Sequence, residues 1–252
     1  MKYPYASEGV KHLYHAVVCE LVVLGLALLV GIVSILVASG AEGLAVLIVL
    51  LGIAILILAV AVLVLEIIGS NKASKDEHSF LLSFYCLIGV LVITIVNYFV
   101  GNSIVSTILS LIGNLGTLLF TFFVFMGLIK LFTNLSNQQM ADKSKKTMFI
   151  FMALYALFII LDLVSGFFSS EDQATVQNLL SMLATISSVV AEVLLLLLLK
   201  ESYAVLSVAK DEPRPLDEPK LEESNKETDA SDKELDLEEE PVEEKPEEQK
   251  PE

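Results

Sequence analysis

The sequence predicts an all-α integral membrane protein: six transmembrane helices in three tandem helical hairpins, followed by a disordered acidic C-terminal tail. Three observations carry that prediction. Six apolar runs are each long enough to cross about 30 Å of hydrocarbon at about 1.5 Å per residue. The connections between them alternate between lysine-bearing and lysine-free. The charge is also unevenly divided, since residues from 211 onward hold 19 Asp/Glu and 6 Lys/Arg, a net of −13, out of −15 for all 252 residues. That leaves 12 acidic and 10 basic residues, a net of −2, for the remainder. With 55% hydrophobic residues and a mean hydropathy of +0.72, the body is too apolar for a soluble domain. The acidic balance belongs to the tail, and no nucleic-acid partner is expected.

Taken in order, residues 1–15 form an N-terminal segment and 16–206 a bundle whose spans are 16–38, 44–68, 80–100, 104–129, 148–168 and 178–199. Helices are the expected conformation because in lipid they satisfy their own backbone groups. The connections after spans one, three and five read SGAEG, GNS and SSEDQATVQ, without Lys or Arg. Those after spans two and four carry Lys72, Lys75, Lys143, Lys145 and Lys146. Lys2 and Lys11 precede span one, and Lys130, Lys200 and Lys210 flank the remaining ends on that side. The positive-inside rule makes this face cytoplasmic, with both termini inside. Short loops point to a bacterial cell membrane. Span one is too long for a signal-peptide core and is interrupted by Glu20, so a retained helix is expected.

An internal repeat supports the hairpin plan. Segments 105–130 and 176–200 align through Val105 with Val176, Leu109 with Leu180, Ser110 with Ser181, Thr117 with Ser188 and, after one gap, Lys130 with Lys200. The body has no proline beyond Pro4, so any kink must come from glycine, serine or inserted water.

Polar residues in the even spans fall on helical faces. In span six Asn178, Ser181, Thr185, Ser188 and Glu192 are spaced 3, 4, 3, 4, and in span four Ser106, Ser110, Asn114, Thr117 and Thr121 are spaced 4, 4, 3, 4. Span two shows no such stripe and is expected to face lipid. In span one Glu20 shares a small-residue face with Ala27, Gly31, Ser34 and Ala38. Serine and threonine alone read as packing residues. Carboxylates demand more, because an ionisable residue near the bilayer centre costs about 2.5–3.5 kcal/mol on the insertion scale. Asp162 and Glu192 are expected to be the deepest, about 21 and 12 Å from the lysine-side span ends. Glu20 and Glu66 are expected nearer the boundary. The offset makes Asp162 and Glu192 successive stations, with Thr185 and Ser188 between them, rather than a touching pair.

Other chemistry has little support. Cys19 and Cys86 lie in apolar runs, and His12, His15 and His78 do not cluster with them, so no metal or cofactor is expected. No His-Glu-x-x-His, Gly-x-Ser-x-Gly, P-loop or Gly-x-Gly-x-x-Gly motif occurs, and an enzyme is not expected. The tail, 207–252, has six prolines and no aromatic residue, a composition that cannot offset chain entropy by burial. Its Leu235 and Leu237 could dock on a basic cytoplasmic partner. The expected function is that of a multi-pass structural or accessory protein, acting through other membrane proteins or through its tail. The alternative is a small transporter or channel-like protein using Asp162 and Glu192.

Overall fold

A computed structural model of the chain describes residues 3–38, 42–100, 103–167 and 174–211. The expectation of tail disorder over 212–252, and most of the lysine-free connections, lie outside the described residues. Six helices follow one another: α1 (Pro4–Ala38), α2 (Ala45–Ala73, entered through a 3-10 turn at Glu42–Leu44), α3 (Ser79–Phe99), α4 (Ser103–Asn134), α5 (Gln138–Phe167) and α6 (Ala174–Asp211). Each holds a stretch long and apolar enough to cross a membrane, and no strand occurs among the described residues. The architecture is that of an all-α six-helix membrane protein.

Several helices outrun the hydrocarbon. α1 has 35 residues and α6 has 38, giving lengths of roughly 52 and 57 Å against about 30 Å of bilayer core. The lead-in before residue 16 is therefore helical from Pro4 and continuous with the span. Residues 207–211, assigned from sequence to the tail, are helical as well. Burial explains both extensions, since Ala6, Val10 and Leu13 at one end and Leu206 and Ala209 at the other pack into the core. The first turn of α1 is also capped from a distance, its Ala6 N–H donating to Asp76 Oδ2 at 2.7 Å. Asn137 caps α5 locally by accepting from the Met140 N–H at 3.1 Å.

Neighbouring helices run antiparallel. Glu8 of α1 pairs with Lys72 of α2 at 3.1 Å, and Glu77, just before α3, with Lys130 of α4 at 3.2 Å. At the far end of that second hairpin Asn97 Nδ2 donates to Ser110 Oγ at 3.1 Å. Lys143 and Glu201 join α5 to α6, where Ser187 Oγ also donates to the Leu154 carbonyl at 2.8 Å. The extensive packing is within the hairpins α1–α2, α3–α4 and α5–α6, and α2–α3 is the loosest junction between consecutive helices. α1 also packs on α6, so the order closes into a ring.

Burial is concentrated at one end of every helix, the end that carries the described lysines. Phe80 of α3, Phe125, Leu128, Leu131 and Phe132 of α4, and Leu198, Leu199 and Leu206 of α6 are all essentially inaccessible. Glycine makes this end close. A Cβ on Gly9 would lie 2.6 Å from the Gly69 carbonyl oxygen and the Ala73 nitrogen, so α1 and α2 touch backbone to backbone. A Cβ on Gly127 would lie 2.5 Å from the Phe80 ring. In the other half Gly25, Gly31, Gly52 and Gly89 would meet nothing within 4 Å. Gly9→Val and Gly127→Val are thus expected to lower stability by about 1–3 kcal/mol through overpacking. Gly52→Ala and Gly89→Ala should be neutral or slightly stabilising. Unfolding in mixed detergent micelles followed by circular dichroism measures the contrast, and equal losses for both groups would contradict it.

Candidate functional site: a central acidic cavity

Where the packed end gives way to the looser half, five helices enclose a cavity of about 200 Å³. Its acidic groups come from three of them: Glu20 from α1, Glu66 from α2 and Glu192 from α6. Asn114, Thr117 and Thr121 of α4, Tyr155 of α5 and Ser188 of α6 supply neutral polar atoms. Val17, Val124, Leu195 and Leu199 floor it towards the lysine end, and Phe120, Phe151 and Phe158 form a wall. No Lys, Arg or His lines it.

Local helix geometry satisfies most of these groups. Ser188 Oγ donates to Glu192 Oε1 one turn later, at 3.2 Å. Thr117 and Thr121 donate back to the carbonyls of Gly113 and Thr117, at 3.3 and 3.1 Å, so neither hydroxyl is stranded. Glu20 and Glu66 differ from the rest. Neither has a hydrogen-bond or ion-pair partner among the described residues, and the charged groups acting on Glu20 are Glu66 and Glu192, both acidic. Like charges held in a weakly screened interior repel, and nothing basic offsets them.

Adjoining hollows share these residues. One, between α1, α2 and α6, includes Glu20, Ala59 and Glu192; another, reaching α3, includes Glu20, Glu66, Leu87 and Thr94. A third lies between α4 and α5, where Ser106, Ser110 and Asp162 meet Asn114, which also lines the central cavity.

The sequence-derived residues therefore divide. Glu20, Asn114, Thr117, Ser188 and Glu192 come together in the cavity. Asp162 is exposed and sits in the α4–α5 hollow with Ser110. Ser181 and Thr185 are exposed on α6, with Thr185 donating back to the Ser181 carbonyl at 2.9 Å. The expected series Asp162, Thr185, Ser188, Glu192 is thus not the observed arrangement. Towards the loose half neighbouring helices no longer cover this face of α6, so its stripe runs from the interior to the outside. Glu66, noted in the sequence only as a carboxylate near the boundary, and Tyr155 are the polar cavity residues that sequence reasoning did not assign to a site. Glu66 shares a 4, 3 spacing with fully buried Ser70 and Ala73, and Tyr155 shares one with Phe151 and Phe158; either pattern marks an inward face.

No family model matches the chain, and no curated protein or solved structure matches it significantly. Fold and cavity define its class as a six-helix membrane protein with an acidic interior site. Because Glu20 faces only other acids, Glu20→Gln is expected to raise the unfolding midpoint in detergent at alkaline pH. Glu8→Gln, which breaks the exposed pair with Lys72, should leave it nearly unchanged. A lower midpoint for Glu20→Gln would show that the carboxylate has a stabilising partner.

Proposed function

We propose that this membrane protein is a small, non-enzymatic transporter or channel-type protein that takes a cation or proton into its central cavity. The observation that carries this reading is the convergence of Glu20, Glu66 and Glu192, from three separate helices, on one cavity without a base. Ionisable residues inside a membrane are expensive, and those that line a polar cavity mark ion or substrate pathways. Hollows that share Glu20 and Asn114 with the cavity adjoin it, and we take them as the approach to it from the looser half. We assign the lysine-bearing end to the cytoplasm by the positive-inside rule, which makes the packed end the closed, inner side. The accessory role favoured by sequence alone uses close helix packing, and the lysine end supplies it. Such a role gives no reason, however, to keep two half-buried carboxylates on a cavity wall without partners among the described residues.

Flux into liposomes reconstituted with the full chain tests the proposal. Proton or cation uptake above that of protein-free vesicles is expected. Glu20→Gln or Glu192→Gln should reduce it about tenfold or more, the scale of losing one charged contact. Asp162→Asn, away from the cavity, should have a smaller effect, and truncation after Lys210 should have none. Wild-type flux no greater than that of empty vesicles, for protons, metal ions and amines alike, would sink the reading.

A further inference from the structure

The cavity carries a chemical preference as well as a charge, and this inference rests on its being a cation site. Beside α6, which carries Glu192, and on the cavity shared with Glu20 and Glu66, stands an aromatic ladder on α5. Phe151 and Tyr155 stack at 5.7 Å with planes 14° apart, and Tyr155 meets Phe158 at 5.4 Å. All three line the cavity. We propose that the occupant is a small organic ammonium ion, held between the carboxylates of α1, α2 and α6 and the ring faces of α5, rather than a metal ion.

Three features favour this class. No three His, Cys, Asp or Glu side chains among the described residues come together closely enough to hold a metal ion. A hard cation needs about six oxygen ligands at roughly 2.0–2.6 Å, which acids dispersed over three helices do not supply. An ammonium group tolerates dispersal, since its N–H groups and methylenes spread over several ångströms. Next, aromatic faces do little for a tightly hydrated metal ion but attract ammonium through their quadrupoles. Finally, about 200 Å³ corresponds to roughly six or seven waters and falls short of the ~300–1,000 Å³ of drug-sized sites. An amine of a few carbons fits that range. Glu20 and Glu66, half-buried on the cavity wall and without hydrogen-bond or ion-pair partners among the described residues, point to a positive group that completes them.

The test is equilibrium binding to the full chain in nanodiscs. The probes are n-butylamine and tetramethylammonium, against n-butanol, sodium, potassium and calcium. Saturable binding of the two ammonium probes is expected, with none of butanol, which has the same chain without the charge. Glu20→Gln and Glu192→Gln should each weaken binding about tenfold or more. Tyr155→Phe keeps the ring and should bind nearly as wild type, whereas Tyr155→Leu should bind severalfold more weakly. Phe158→Leu should act in the same direction and serves if Tyr155→Leu fails to fold. If metal ions bind instead, through the same carboxylates and with the aromatic variants neutral, the ammonium assignment is overturned while the cation-site reading stands. If neither class binds, the assignment falls, and the flux assay decides the broader reading separately.

Discussion

Backbone contact between Gly9 and Gly69 states the constraint on which the rest of the bundle depends. Lipid tails are as apolar as leucine, so membrane helices associate through close packing rather than through the hydrophobic effect. Small residues therefore decide where these helices meet. At the lysine end Ser70, Ser144 and Ser202 are fully buried with hydroxyls that have no hydrogen-bond partner among the described residues, so they act there by being small. In the other half α2 presents Val46, Leu50, Ile53, Leu56, Ile57 and Val60 outward. Bulky aliphatic side chains without small counterparts let the helices stand apart. The cavity lies at the transition between these two regimes.

The same division separates the charges. At the packed end Lys72, Lys130 and Lys143 are engaged by Glu8, Glu77 and Glu201, and Lys11 lies over the Tyr203 ring at 5.9 Å. Lys130 also donates to Ser79 Oγ at 2.9 Å, which commits it to the α3–α4 hairpin. None of these four lysines lines the cavity that holds the interior carboxylates. Exposed ion pairs contribute little to stability, so the role of these pairs is better described as placement. They fix the hairpin ends.

The number and type of elements were legible because six long apolar runs admit one backbone solution in lipid. Their ends were less so. Hydropathy reports where a helix leaves hydrocarbon, whereas α1 and α6 continue as packed helices beyond it, held by Val10, Leu13, Leu206 and Ala209. In the site, Ser188 and Glu192 were visible through their spacing, and Thr117 and Asn114 through theirs. Periodicity gives a face but not the point along a helix at which neighbours stop covering it, which is why Ser181 and Thr185 were grouped with Glu192. Glu66 escaped because α2 has no polar stripe, and Tyr155 because an aromatic in an apolar run reads as filling. Depth judged from span ends did not indicate which acids share a cavity. Glu20 and Glu66, expected near the boundary, line the same cavity as Glu192.

Closure of the ring by α1 against α6 has a consequence for how the protein is made. Synthesis releases helices in order, so the α1–α2 hairpin enters the bilayer bearing Glu20 and Glu66 long before Glu192 and the rest of α6 exist. Until then one flank of α1 is open to lipid, and its acids lack the enclosure that the finished bundle provides. The early hairpin must be sheltered by the insertion machinery, or wait at the interface, until the last helix arrives. The groups that would equip the finished protein to hold a cation are the ones that make its first hairpin hardest to insert.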